Sequence, residues 1–328
     1  MFPIRDTIQS KCIPIVNYAL IGFNIFCFGL QVSYGPLEEG LIYLYGLLPA
    51  RYSMPELSMH FTLGQQMFSL MSFMFLHGGF WHLLTNMWTL YIFGDNVEDH
   101  FGSIRYLIFY LLCGMASGLA HLLTNFYSPT PTIGASGAIA GVMGAYFILH
   151  PGAKILTLIP IIIIPYFLEI PAFIYLGIWF LIQIISAAGS SSEYGGIAWW
   201  AHIGGFLSGI FLLRMISNIP VSELSQKIKT KTTRRRTPYL QVIRPIGPGR
   251  DAHLYANIHV TQFESIHGAR KTVNIPWGFH DQLFRVDVPQ GIRDGSYLRL
   301  HGQGKRLPSG VRGDLFLKVQ IDEGNINR

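Results

Sequence analysis

Ile133-Gly134-Ala135-Ser136-Gly137-Ala-Ile-Ala140-Gly141-Val-Met-Gly-Ala-Tyr-Phe-Ile-Leu-His150 is an apolar, charge-free run that opens on a serine held between small residues. A hydroxyl in such a run is costly unless it has a partner or lines a wet cavity, so Ser136 is a functional candidate. Packing is the competing reading, because Gly137 and Gly141 form a small-xxx-small pair that lets membrane helices approach closely.

Half of the 328 residues are hydrophobic and only 13% are charged, a membrane composition. A span needs about 20 mostly apolar residues. Comparable runs lie at Ile13–Val32, Met67–Phe93, Tyr106–Asn125, Ile170–Ala188 and Ile197–Leu213, and with Ile133–His150 they predict six spans. The first run is a full span without a small-residue cleavage site, so it is read as a retained anchor. Pro160, Pro165 and Pro171 forbid a straight helix through Lys154–Ala188, which makes Ile155–Leu168 an interfacial or re-entrant connection.

Short loops rich in Lys and Arg stay in the cytoplasm. Arg5, Lys11, Arg105, Lys154 and Arg214 fall on one side and only Arg51 on the other, which predicts that both termini are cytoplasmic. The net charge of +6 owes much to Lys227, Lys229, Lys231 and Arg234-Arg235-Arg236. Directly after a span, such a run reads as a juxtamembrane linker touching anionic lipid rather than as a nucleic-acid site. Cys12, Cys27 and Cys113 lack paired spacing, so neither a disulfide framework nor a metal site is indicated, and no cofactor is implied.

With that topology the second, fourth and sixth runs all proceed inward from the outer face. His82, Ser136 and His202 stand near the starts of their helices, roughly 5–10 Å below that face at 1.5 Å per residue. A hydroxyl becomes nucleophilic when a base takes its proton, and histidine is the usual base. His202 is the chosen base. Ala201, Gly205 and Gly209 recur every fourth residue around it and would seat the sixth span against the fourth. His82 and Asn86, four apart on one helix face, are candidate oxyanion donors together with the Ser136 N–H. No carboxylate in these runs can orient His202, so the expected arrangement is a Ser-His dyad. His121 is the runner-up base, His150 lies about 20 Å from Ser136 by helix rise, and Glu98 and Arg105 are expected to pair or cap at the inner turn.

At these residues the chain resembles the rhomboid intramembrane serine proteases, over roughly residues 13–215. The likeness rests on His77-Gly-Gly-Phe-Trp-His82-Leu-Leu-Thr-Asn86, Gly94-Asp-Asn-Val-Glu98, Gly134-Ala-Ser136-Gly137 and Ala201-His202-Ile-Gly-Gly205, in that order. The resemblance implies Ser136 as nucleophile, His202 as general base, His82 and Asn86 as oxyanion donors, and Gly134 and Gly137 in support. It also implies substrates that are single transmembrane segments with helix-destabilising residues, a first loop over Ser33–Gln66 and a mobile cap over Ala187–Gly196. One departure is Ala140, where some members carry an aromatic that stacks on the catalytic imidazole; Trp199 or Trp200 could substitute. Rhomboid-like proteins without activity make a non-catalytic membrane adaptor the alternative; a transporter fits less well, since no internal repeat is present.

Past the basic linker, period-two alternation at Phe284-Val286-Val288, Leu298-Leu300 and Leu315-Leu317-Val319-Ile321 marks half-buried strands separated by glycine turns. Residues 239–328 are thus predicted to form a small cytoplasmic all-β sandwich, joined through a linker at 219–238 to an all-α bundle over 1–218. Val288-Pro-Gln-Gly-Ile-Arg-Asp-Gly-Ser-Tyr-Leu-Arg-Leu-His-Gly-Gln-Gly304 and Gly313-Asp-Leu-Phe-Leu resemble the C-terminal substrate-binding domain of DnaJ-type co-chaperones. No His-Pro-Asp motif or Cys-x-x-Cys module accompanies them. The resemblance implies that this domain binds unfolded cytoplasmic peptides at a sheet edge or joins protomers. The expected partners are therefore transmembrane substrates, the bilayer and such peptides, in a bacterial cell membrane. With the active site near the outer face, direct handover of a peptide from this domain to Ser136 is excluded.

Overall fold

The computed structural model describes residues 2–161, 164–189, 197–234, 237, 240–243, 245–246, 252–277, 280–305 and 312–322. They divide into two compact units, residues 1–232 and 233–328. In the first, a strand β1 (Phe2–Asp6) precedes the helices α1 (Ile15–Ser33), α2 (Glu38–Tyr45), α3 (Leu63–Ser72), α4 (Phe80–Phe101), α5 (Ser103–Thr124) and α6 (Ser136–Leu149). Strands β2 (Lys154–Ile161) and β3 (Ile164–Pro171) follow, then α7 (Ala172–Gly189), α8 (Trp199–Ser217) and α9 (Glu223–Thr232).

Among the described residues four helices, α1, α5, α7 and α8, are long and apolar enough to cross a membrane, and Leu63–Phe75 with α4 makes a fifth if the pair, bent by 78°, is one span. The run at Ile133–His150 is the shortfall against the expected six. Its helix has 14 residues, a rise of about 21 Å against a hydrocarbon core of about 30 Å. The bend before α4 follows from Gly79, whose φ of +147° an L-residue rarely adopts. It is clamped from α1: the buried Gln31 side chain accepts from the His77 N–H at 3.0 Å and donates to the His77 carbonyl at 2.6 Å.

The proline-broken stretch is not helical, as its prolines require. It forms an antiparallel hairpin, β2 with β3, to which the N-terminal β1 adds in the order β1-β2-β3. Prolines fit here because each missing N–H falls where no ladder needs it. Pro165 is on the edge strand, and Pro160 lies past Leu158, the last β2 residue paired with β1.

The start of α1 is capped from the end of α4. Glu98 accepts from the N–H groups of Val16 (3.1 Å) and Asn17 (2.8 Å) and from Ser103 Oγ (2.6 Å), while Asp99 accepts from the N–H groups of Lys11 and Cys12. Carboxylates are stabilising at a helix N-terminus. Glu98 therefore caps, and Arg105 turns away from it to the carbonyls of Phe101 and Ile219. Asn17 joins three helices, donating to the Leu90 carbonyl and accepting from Tyr106 Oη.

The tightest seam in the bundle runs between α6 and α8. A Cβ added at Gly205 would run into the Gly137 carbonyl, one at Gly209 into the Gly141 carbonyl, and one at Gly144 into the Phe206 carbonyl. The two backbones touch without intervening side chains, as small-xxx-small spacing allows. On its other side α8 meets α5, where Gly204 packs on Ala120. Within the stretch read as a linker, α9 is helical and folds back on the bundle, the Thr232 carbonyl accepting from the Ile13 N–H at 2.9 Å.

The second unit is β-rich. One sheet has the order β4 (Leu240–Val242), β6 (Ala269–Trp277), β7 (His280–Val288); the other β5 (Leu254–Thr261), β9 (Leu315–Asp322), β8 (Tyr297–Leu300). Both contribute to one apolar core of Ile258, Val260, Val273, Val286, Leu315, Leu317 and Val319, among others. Between β5 and β6 lies a short helix, α10 (Gln262–His267), closed by a capping box of Thr261 and Glu264. Glu264 also meets the buried Lys271 Nζ at 2.5 Å.

The seam gives a direct expectation. Gly209→Ala should lower the unfolding midpoint of the detergent-solubilised chain, since overpacking costs about 1–3 kcal/mol. Gly22→Ala, with nothing within 4 Å of the added Cβ, should leave it unchanged or slightly raised. Equal midpoints for the two variants would refute the backbone-contact account.

Candidate active site

Ser136 is the first residue of α6, whose N-cap, Ala135, makes no side-chain capping bond. The first intrahelical bond is Ile139 N–H to the Ala135 carbonyl, so the N–H groups of Ser136, Gly137 and Ala138 have no acceptor within the helix. Such an end favours negative charge. The chain leading into it is tied down at two points: Leu47 and Thr132 exchange backbone hydrogen bonds, and the Gly134 N–H reaches the Phe73 carbonyl at 2.9 Å.

Ser136 Oγ lies 2.8 Å from His202 Nε2. On the far side of the ring, His202 Nδ1 lies 2.8 Å from Gln183 Oε1 on α7. The tautomer follows from one further bond. Gln183 Nε2 donates to the Trp179 carbonyl at 3.0 Å, one helical turn back. A backbone carbonyl only accepts, so the amide NH2 is fixed there and Oε1 faces the imidazole. Nδ1 must then carry the proton, which leaves Nε2 as an acceptor for the Ser136 hydroxyl.

The same logic gives His82 the opposite tautomer. Its Nδ1 accepts from the Gly78 N–H at 3.2 Å, so Nε2 carries the hydrogen. That edge of the ring rests against Gly134. A Cβ there would sit 2.8 Å from His82 Cε1 and 2.9 Å from Nε2, and φ at Gly134 is +127°. Gly134 is thus required twice over, for its backbone and for the space it leaves to His82, and Gly137 gives α5 its approach at Ser117. One turn along α4 from His82, the buried Asn86 has an amide Nδ2 with no hydrogen-bond partner among the described residues. A buried unpaired donor costs about 1–3 kcal/mol.

The structure brings Ser136 and His202 into contact, and His82 against Gly134 beside them. His121 is placed elsewhere: its Nε2 meets Thr132 Oγ1 at 2.8 Å and its Nδ1 faces Asn125. Around His202, Trp179 lies 5.9 Å away with rings tilted by 36°, and Trp199 presents an edge at 6.1 Å. An aromatic therefore does stand against the imidazole, from α7 instead of position 140. Ala140 belongs to the α6–α8 seam, its Cβ 3.3 Å from one built at Gly205. Gln183 and Trp179 escaped the sequence reading, although a glutamine within an otherwise apolar span was the available signal. Most of the cap expected at 187–196 lies outside the described residues; Ala187–Gly189 end α7. Among the described residues no group of three His, Cys, Asp or Glu side chains could hold a metal.

This serine-histidine site lies in the first of two recognised domains. Residues 64–219 match the Rhomboid domain and residues 254–328 the DnaJ C terminal domain, so the chain carries a rhomboid domain followed by a DnaJ C-terminal domain. It is 30% identical over 200 residues to Rhomboid protein 1, mitochondrial, of Saccharomyces cerevisiae, covering 59% of this chain and 51% of that protein. It is 28% identical over 191 residues to RHOMBOID-like protein 5 of Arabidopsis thaliana, 56% of this chain and 54% of the relative. Rhomboid protease GluP of Bacillus subtilis is 35% identical over 138 residues, 42% of this chain and 23% of that protein. The chain spans about half the length of the first two relatives.

Asn86→Ala separates a catalytic from a structural amide. If Asn86 is an oxyanion donor, cleavage of a transmembrane substrate should fall about 10²–10³-fold, while the unfolding midpoint stays level or rises because a buried unpaired group is gone. A lowered midpoint with cleavage intact would make Asn86 a structural residue.

Proposed function

We propose that this protein is an intramembrane serine endopeptidase that cleaves transmembrane segments of membrane proteins through Ser136 and His202. The observation that carries the reading is the 2.8 Å contact of Ser136 Oγ with the acceptor nitrogen of His202, at an uncapped helix N-terminus with His82 alongside. As Oγ bonds to the scissile carbonyl carbon, its proton passes to His202 Nε2. The carbonyl oxygen takes the negative charge against the Ser136 N–H, His82 Nε2–H and Asn86 Nδ2. His202 then returns the proton to the leaving amine as the C–N bond breaks. Water attacks the acyl-enzyme by the same route and frees the second product.

We infer six spans, with α3–α4 as a broken one and α6 as a short one. A helix of about 21 Å with its inner end at the membrane face begins about 9 Å below the outer face, which agrees with the depth expected for Ser136. A substrate helix must unwind to present a carbonyl there, which favours segments with helix-destabilising residues. On this reading both termini are cytoplasmic, and the C-terminal domain binds extended peptide segments such as the tails of substrates. An integral membrane location is common to the spans and the rhomboid domain; a bacterial cell membrane draws no support from relatives named for the mitochondrion or chloroplast.

The test uses full-length protein in liposomes with a single-span substrate. Wild type should cleave it, and Ser136→Ala and His202→Ala should each reduce cleavage by at least about 10³-fold. Undiminished cleavage by Ser136→Ala would end the protease reading, and a wild type that binds the substrate without cutting it would favour the adaptor.

A further inference from the structure

Gln183 is a polar side chain in a helix that is otherwise dressed for lipid. Phe173, Ile178, Leu181, Ile182, Ile184 and Ile185 of α7 are exposed, while Ala172, Tyr175, Leu176, Gln183 and Ala187 form its buried stripe. Burying an amide there is unfavourable unless it is hydrogen-bonded. Both of its polar atoms are used, Nε2 on the Trp179 carbonyl and Oε1 on His202 Nδ1. Trp179, on the same face one turn away, lies against His202 and Phe206, and Phe180 stacks on Phe206 with centroids 4.5 Å apart.

We propose that Gln183 is the positioning residue of His202, a neutral third member that locks the Nδ1–H tautomer and makes the base competent only while α7 is seated on α8. The inference rests on the protease reading for its catalytic part and on the hydrogen bonds alone for its structural part. A neutral acceptor suits the setting. An amide oxygen holds the ring through its N–H in both protonation states of His202, whereas a carboxylate would leave an uncompensated buried charge whenever the imidazole is neutral. Because Nε2 of Gln183 is anchored within α7 itself, a displacement of that helix carries the acceptor away from Nδ1. Without it, the ring is free to place its hydrogen on Nε2, and it then no longer accepts the Ser136 proton. Seating of α7 and basicity at Ser136 are coupled through one bond.

Two substitutions in the full-length chain separate positioning from packing. Gln183→Met keeps volume and removes the acceptor; Gln183→Glu keeps an acceptor and adds a charge. Packing alone would favour Met over Glu in this apolar seat. Positioning predicts the reverse for turnover: Met lowers kcat about 10–100-fold with KM within about threefold, a part of the 10²–10⁴-fold that a base contributes, and Glu retains more activity than Met. The second readout needs no cleavage. In long-range 1H–15N correlation spectra of the detergent-solubilised chain with 15N-labelled histidine, His202, assigned by its loss in His202→Ala, should appear as the Nδ1–H tautomer. In Gln183→Met it should shift toward a mixture. A wild type that does not cleave would sink the protease reading, and the spectra would still decide whether Gln183 sets the tautomer. A Met variant with wild-type kcat, or with an unchanged His202 tautomer, overturns the proposal.

Discussion

The site depends on the approach of two helix backbones. Ser136 and His202 are 66 residues apart in sequence, and a 2.8 Å contact between such short-reaching side chains requires α6 and α8 to pack backbone on backbone. Gly137, Gly141 and Gly144 on one side and Gly205 and Gly209 on the other provide that approach. The residues that would crowd the seam if enlarged bracket the serine and the histidine. Packing and chemistry at Ser136 are therefore a single constraint.

Around this seam the bundle spends its polar groups sparingly, each fixed by a partner that leaves little freedom. Glu98 and Asp99 satisfy the start of α1 and Gln31 satisfies both backbone groups of His77. Where these bonds are buried they meet little competition from water, so each helps to hold its helix in register. The site follows the same rule. The Trp179 carbonyl orients Gln183, Gln183 orients His202, and the Gly78 N–H orients His82. The two imidazoles end as opposite tautomers, one ready to accept a proton and the other to donate a hydrogen bond. Not every buried polar atom is partnered in this way: among the described residues the Asn86 amide Nδ2 and both ring nitrogens of His77 have no hydrogen-bond partner, and Asn86 stands one helical turn from His82.

Much of this was legible in the residues themselves. Small-residue spacing at Gly137, Gly141, Ala201, Gly205 and Gly209 announced the seam, and shared position at helix starts gathered His82, Ser136 and His202. Period-two alternation at Phe284–Val288 and Leu315–Ile321 placed β7 and β9. Other features depended on contacts distant in sequence. The prolines of 154–171 rule out a straight helix and leave only an irregular connection to be read there, whereas the hairpin pairs with the N-terminal β1 across some 150 residues. Gln183 belongs to no motif; its one sequence signal is an amide in an otherwise apolar span, and its contact with His202 comes from the packing of α7 on α8. Glu98 and Arg105 were expected to pair or cap at the inner turn; they cap, and their backbone partners, in α1 for Glu98 and at Phe101 and Ile219 for Arg105, could not be chosen from sequence proximity.

The reactivity of the Ser136–His202 pair is tested most directly by covalent capture. Full-length protein in detergent is treated with a fluorophosphonate, and the adduct is located by peptide mass spectrometry. The account predicts a single phosphonylated serine, Ser136, with labelling lost in Ser136→Ala and reduced at least about 100-fold in His202→Ala, since the base supplies the nucleophile. Wild-type Ser136 left unmodified under conditions that label a soluble serine hydrolase, or labelled equally with and without His202, would contradict it.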